Sequence, residues 1–295
     1  MSRSFAILIF LGFTTAAIAA PALRTGEPRI LYVAGDPGEL QIYSVKPDGT
    51  GSEKLTSDAG NHLFPAWSPD AKKIAFSIEK DGLQQIYVMD ADGKNVKQLT
   101  KDGQINRGAA WSPDGKKIAF TRWTGVTHNV FVMDTDGSNA TNVSNSEYYD
   151  ADPSWSPDGK LICFTSTRGG DGFRIYIVDT DGKNVKEVTK EGNVNGFVYP
   201  AWSPDGKRIA YAHPAAGGLE IWLVDTDGRN NKQLTKEGVS NSYPSWSKDG
   251  KQIAFGHFDG PKSAVKIMDA DGANVKTVVE LPKTVPEGGR VAFKP

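Results

Sequence analysis

The chain reads as an all-β protein, a six-bladed β-propeller with four antiparallel strands per blade, and three observations lead there. The phrase Trp-Ser-Pro-Asp-Gly-Lys-Lys-Ile-Ala-Phe recurs with small variations, its Trp at 67, 111, 155, 202 and 246, a spacing of 44, 44, 47 and 44 residues. Each repeat holds several short strand patterns separated by turn residues, which is the sequence mark of propeller blades. A third-strand pattern occurs six times, beginning at Ile42, Ile86, Val130, Ile175, Ile221 and Val265, while the Trp phrase occurs five times.

Within a repeat the Trp strand comes first, as in Phe64-Pro65-Ala66-Trp67, and the Ser-Pro-Asp-Gly turn leads to a second strand such as Lys73-Ile74-Ala75-Phe76. The third strand, such as Gln85 to Met89, is followed by an Asp-x-Asp-Gly turn and a short fourth strand ending Gln98-Leu99-Thr100. Apolar residues on both faces of the middle strands suit a sheet packed between two neighbours.

The first unit has its second to fourth strands (Arg29 to Val33, Leu40 to Val45, Glu53 to Thr56) but no Trp strand before them. The segment Arg290 to Pro295 supplies the missing piece, with Phe293 in the Trp column 47 residues after Trp246. The C-terminal strand is therefore expected to join the N-terminal blade, closing the ring and removing sheet edges that invite aggregation. The Trp column, Trp155 included, is expected to be interior.

The turns agree with this register. Pro69 and Asp70 suit the centre of a type I turn, and Gly115, Gly159, Gly206 and Gly250 suit a left-handed bulge, with Ala71 the exception. Asn95, Asn139, Asn184, Asn230 and Asn274 share a column with Gly51, and Asn exchanging with Gly points to positive φ.

The repeats, for example WSPDGKKIAFTRWTGVTHNVFVMDTDGSN and IYIVDTDGKNVKEVT, resemble those of TolB-type propellers, periplasmic relatives of WD-repeat rings. The resemblance covers about residues 29 to 295. It implies the propeller fold and a binding role; the family's namesake carries an α/β domain ahead of its propeller and works with the peptidoglycan-associated lipoprotein. Only Ala20 to Pro28 separate a leader from the first blade here, so that domain is expected to be missing.

Residues 1 to 19 read as a secretory signal peptide: Arg3, an apolar run from Phe5 to Phe13, and small residues ending Ala17-Ile18-Ala19. The run is shorter than the ~20 residues of a membrane span. The domain reading is then a signal peptide at 1–19, a linker at 20–28 and the propeller at 29–295, with the product periplasmic or secreted and not inserted in the membrane after cleavage. Lys plus Arg number 34 against 35 Asp plus Glu, without a basic stripe, which argues against nucleic acid as a partner. Cys163, the sole cysteine, sits in a column where sister repeats carry Ala and reads as a buried apolar residue.

In a four-strand meander the Ser-Pro-Asp-Gly and Asp-x-Asp-Gly turns leave from one end, and that end is nearly uniform. The opposite end differs from blade to blade. Its loops and the connections between blades carry the candidate binding residues Arg122, Trp123, His128, Tyr148, Tyr149, Asp150, Asp152, Phe197 and Arg290, since aromatic and Arg side chains on rigidly held loops make recognition surfaces. Tyr199 and Tyr243, each preceding a Pro, read as packing between blades.

All four histidines (His62, His128, His213 and His257) map to that variable end, and His213 and His257 share a column in adjacent blades, where facing imidazoles could hold a transition metal. The Asp-x-Asp-Gly series imitates the start of a calcium loop but lacks the bidentate Glu at loop position 12. The sequence thus supports a non-catalytic, monomeric binding scaffold without a cofactor, recognising an envelope protein or cell-wall component. The alternative is a metal-assisted polysaccharide lyase or hydrolase using His213 and His257.

Overall fold

The computed structural model describes residues 27–170, 172–190, 198–260, 262–281 and 289–295. The leader, most of the linker and Phe197 lie outside them. Every regular element among the described residues is a strand, and the strands form six four-stranded antiparallel sheets.

From axis to rim, blade 1 holds Ala292–Phe293, Ile30–Ala34, Gln41–Val45 and Glu53–Lys54. Blade 2 holds Asn61–Trp67, Lys73–Lys80, Leu83–Asp90 and Lys97–Gln98. Blade 3 holds Asn106–Trp111, Lys117–Trp123, His128–Asp134 and Thr141–Asn142. Blade 4 holds Asp150–Trp155, Leu161–Ser166, Arg174–Asp179 and Lys186–Glu187. Blade 5 holds Ala201–Trp202, Arg208–Ala215, Gly218–Asp225 and Lys232–Gln233, and blade 6 holds Ser240–Trp246, Gln252–Asp259, Lys262–Asp269 and Lys276–Leu281.

Closure follows the expected route. Ile30 pairs with Phe293 and Leu31 with Ala292, and Lys294 N–H donates to Arg29 O at 2.7 Å. The tail of the chain is the innermost strand of the blade built by its head.

Repetition in sequence becomes repetition in hydrogen bonding. In each turn of the Ser-Pro-Asp-Gly type the Ser hydroxyl donates to the Asp carboxylate and accepts the N–H five residues on, as Ser68 does with Asp70 and Lys73. At the end of the fourth strand Thr56, Thr100, Ser144, Thr189 and Thr235 each accept the N–H that opens the third-strand core, that of Ile42, Ile86, Val130, Ile175 and Ile221, at 2.9–3.0 Å. These hydroxyls replace ladder bonds that a two-residue outer strand cannot supply.

The Asn column adopts the left-handed conformation throughout, φ 53–55°, with Gly51 at 62°. Each Asn amide there donates to the Asp that opens its turn, as Asn95 does to Asp90 at 2.6 Å and Asn139 to Asp134 at 2.6 Å. Ala71 keeps the turn conformation of its Gly counterparts at φ 56°.

Indole N–H groups tie blades together. Trp111, Trp155 and Trp246 donate to Ala66, Ala110 and Ala201 of the preceding blade at 3.1–3.2 Å. The burial expected of the whole column holds for Trp67, Trp202 and Trp246, whereas Trp111 and Trp155 are only half-buried. All five border the axial cavity.

Candidate functional site

The innermost strand does not run straight to the variable end. Its pairing with the second strand slips between Leu63 and Ala66, Arg107 and Ala110, Ala151 and Ser154, and Ser242 and Ser245. The residue at the slip is left-handed in blades 2, 3, 4 and 6 (Phe64, Gly108, Asp152 and Tyr243), and Tyr199, in the same column of blade 5, is left-handed too. A bulge of this kind re-aims a side chain. Four of the five precede Pro, a residue tolerated here because an innermost strand has a free edge. That Pro, two residues before each Trp, is the sequence signal of the slip.

The bulge column gathers at the axis. The rings of Tyr199 and Tyr243 lie 4.0 Å apart between centroids, and both pack in one cluster with Phe64, so the two tyrosines serve packing as expected. Arg290, just before the closing strand of blade 1, reaches across to donate to Ala109 O of blade 3 at 3.2 Å. Burial lowers the pKa of its guanidinium, and the Asp152 carboxylate of blade 4 opposes that shift. Asp152 N–H is itself held by the Thr121 hydroxyl at 3.1 Å. Arg290 and Asp152 therefore sit inside the axis. A cavity of 350 Å³ opens from there toward the uniform end, with Arg290 in its lining beside Trp111, Trp155 and Pro113.

Other candidates are committed to partners in their own blade or in the connection leading into it. Arg122 pairs with Asp102 at 2.6 Å, donates to Asn106 Oδ1 at 2.8 Å, and lies 4.7 Å from the Phe131 ring centre and 5.1 Å from that of Phe120. Asp150 is fully buried, accepting from Arg168 at 2.8 Å and Ser146 at 2.6 Å. Arg168 in turn lies over Phe164 and Tyr176. The column of Asp150 is polar and fully buried in His62, Asn106 and Asn241 as well. Sequence reading placed Arg122 and Asp150 on an open recognition surface; the structure places Asp150 beneath it and ties Arg122 to internal partners. The residues missed were these partners, Asp102, Asn106 and Arg168, visible only once the strands and loops of one blade are folded against each other.

His213 and His257 are not brought together. His213 Nδ1 is 3.0 Å from Pro214 O and its ring packs by Trp222 of its own blade, 5.4 Å away. His257 faces Asn241 Oδ1 at 2.9 Å and Glu237 at 3.2 Å, and burial with Lys266 lowers its pKa more than Glu237 raises it. Among the described residues no three His, Cys, Asp or Glu side chains converge as a metal site. The carboxylates that imitate a calcium loop are spent on their own turns, Asp92 accepting from Lys94 N–H at 3.1 Å and Asp90 from Asn95. Burial pushes the Cys163 thiol up to about 12, so it stays protonated.

What remains at the variable end is a ladder of rings across blades 3 and 4. Trp123 meets His128 at 5.0 Å, His128 meets Tyr149 at 5.0 Å, and Tyr149 meets Phe173 edge-on at 5.6 Å. Such spacings are those of favourable aromatic contacts. Arg107 anchors the ladder by donating to the Tyr149 hydroxyl at 2.6 Å. Burial, followed by the charge of Arg107, lowers the pKa of His128 to about 4, so its imidazole is neutral near pH 7. Beside the ladder Tyr148 is 41% exposed and Val126 81%. Of the residues singled out by sequence, Trp123, His128, Tyr148 and Tyr149 thus form one patch.

The fold has many relatives. Over 90% of this chain the structure superposes on 66% of TolB from Acinetobacter baumannii with a TM-score of 0.73 at 29% identity. A putative TolB from Agrobacterium tumefaciens gives 0.72 at 22% identity, covering 91% of this chain and 99% of that one. A TolB homolog from Chlorobium luteolum is 54% identical over 39 residues, 13% of this chain and 9% of the relative. The chain thus spans less than two thirds of the first of these structures and a small part of the curated relative. The sequence profile of the TolB beta propeller domain matches residues 11–128, 109–198 and 196–284. With the repeats, the six sheets and the profile in agreement along most of its length, the chain belongs to the TolB beta propeller domain family.

Proposed function

We propose that this protein is an exported, non-catalytic binding scaffold of the bacterial envelope that recognises a protein or cell-wall partner through the variable-loop end of blades 3 and 4. The observation that carries the reading is the ladder of Trp123, His128, Tyr149 and Phe173, with Tyr148 and Val126 exposed beside it. Aromatic side chains on a rigid support lose little conformational freedom on binding and dominate interface energetics. The likeness to TolB chains supports a protein-binding role and a periplasmic location.

The test is capture from envelope extract with the peptidoglycan-associated lipoprotein as bait, alongside binding to purified cell-wall sacculi. Enrichment of this protein on either bait, lost in a Trp123→Ala/Tyr148→Ala variant that melts like the parent, is the expected result. Retention by neither, or retention indifferent to both substitutions, would remove the patch from consideration.

A further inference from the structure

Since the axial cavity touches every tryptophan of the repeat, the greater exposure of Trp111 and Trp155 arises on their other side, in the clefts between blades. At the other three tryptophans the chain covers the indole itself. Arg208 of blade 5 holds its guanidinium carbon 5.4 Å from the ring centre of Trp246, and Lys294 holds its ammonium 5.9 Å from that of Trp67. Leu161 of blade 4 packs against the cluster that contains Trp202.

The position of Arg208, six residues after the Trp of its own blade, is Lys73 in blade 2 and Lys117 in blade 3. All three face an Asp across the second and third strands: Lys73 opposite Asp90, Lys117 opposite Asp134 and Arg208 opposite Asp225. The two lysines turn to that carboxylate, at 3.0 and 2.6 Å. Arg208 lies over the next blade's indole instead. An ammonium is a compact, strongly hydrated charge that favours a carboxylate, whereas a guanidinium is planar, more weakly hydrated and stacks on aromatic faces. Two indoles, Trp111 and Trp155, are left without a cover.

The clefts beside them are alike. That of Trp111, between blades 2 and 3, measures 480 Å³, and that of Trp155, between blades 3 and 4, 580 Å³. Both volumes fall within the roughly 300–1,000 Å³ of small binding sites. Carboxylates outnumber cations in each lining: Asp70, Asp114 and Asp136 against Lys73 and Lys97 at Trp111, Asp114 and Asp158 against Lys117 at Trp155. The turn bonds of Asp114, from the Ser112 hydroxyl at 2.6 Å and Lys116 N–H at 3.0 Å, both fall on Oδ1, as do those of Asp158 from Ser156 and Lys160. These bonds, the seryl hydroxyl's first, hold both carboxyls below the usual range and so charged at neutral pH.

We propose that the two clefts are docking sites for arginine side chains of a polypeptide partner, each guanidinium taking over Trp111 or Trp155 the place that Arg208 takes over Trp246. The turn carboxylates select for positive charge. They select against a free amino acid, whose own carboxylate would face them. The clefts lie at the end of the Ser-Pro-Asp-Gly turns, opposite the aromatic ladder, and the proposal uses none of the ladder's residues.

The probe is N-acetyl-L-argininamide, an arginine with both ends capped as in a chain, titrated into the isotope-labelled protein while the assigned indole N–H signals are followed by NMR. Saturable shifts are expected at Trp111 and Trp155 and not at Trp67 or Trp246. The neutral isostere N-acetyl-L-citrullinamide should produce none, and free L-arginine should bind severalfold more weakly. Lys117→Arg copies blade 5 without changing charge; its own guanidinium should cover Trp155 and weaken the response there about tenfold, leaving Trp111 as before. Three results would overturn the proposal: no saturable shift at Trp111 and Trp155, an equal response to the citrulline compound, or a Trp155 response untouched by Lys117→Arg. Free arginine binding as tightly as the capped form would remove the polypeptide as its source. The small-molecule comparisons use the unaltered protein, so they decide even where the variant's fold is disturbed.

Discussion

Trp246 is buried, receives the Arg208 guanidinium 5.4 Å from its ring centre, and donates its indole N–H to Ala201 of the preceding blade. Truncation to Ala removes those contacts and opens a void between blades 5 and 6. Trp246→Ala is expected to cost ~3–5 kcal/mol in urea denaturation, and Trp155→Ala, less buried than Trp246, distinctly less. His128 supplies a test by pH. Its folded pKa of about 4 lies below the ordinary 6.5, so the unfolded chain binds the proton more readily. Its share of stability is present above pH 6.5 and is lost as pH falls toward 4. The melting temperature should therefore drop between about pH 7 and about pH 4.5, and drop less in His128→Gln; equal drops would contradict the burial assigned to this ring.

Turns and strands show which parts were readable in advance. Asn139 sits at φ 55° with its amide on Asp134, and the exchange of Asn with Gly down the repeats announced that conformation. Asn139→Ala should destabilise by ~1–2 kcal/mol, from forced left-handed geometry and the lost hydrogen bond, and Asn139→Gly by less. Denaturant midpoints of the two variants check the order. Strand order and blade number were legible because period and turn chemistry are local properties. The fates of Arg122, Asp150, Asp152 and Arg290 were not, since a charged residue at a loop end looks the same whether it faces solvent or the next blade. Asp102, Asn106 and Arg168 decide the matter from 16 to 20 residues away along the chain, on the neighbouring strand or an adjoining loop, a pairing that no local pattern encodes. His213 and His257 share a column yet answer to different neighbours for the same reason.

For the molecule as a whole, stability rests on the seam in blade 1. Deleting residues 290–295 removes the partner of Ile30 and Leu31 and exposes a bare edge. The shortened chain is expected to melt earlier and to associate, as light scattering after size exclusion would report; a monomer with unchanged melting would refute the closure. Two oddities of the repeat also lie at this seam. Pro69, Pro113, Pro157 and Pro204 each lie within 3.2–3.8 Å of where a Cβ would sit on the turn Gly of the next blade. The departures from this Pro and Gly series, Lys248 and Ala71, both border the 910 Å³ cavity at the seam, together with Glu27 and Pro295.

Because Lys294 N–H meets Arg29 O at 2.7 Å, the last described residues lie beside the entry to the first strand. A short Gly-rich bridge from residue 295 to residue 27 would turn the gene into a loop that can be re-cut at any of the Asp-x-Asp-Gly hairpins. Permuted proteins made this way should recover the same six sheets, and the site of the cut would then become a handle for attaching sensors or cargo without touching the end that bears the rings.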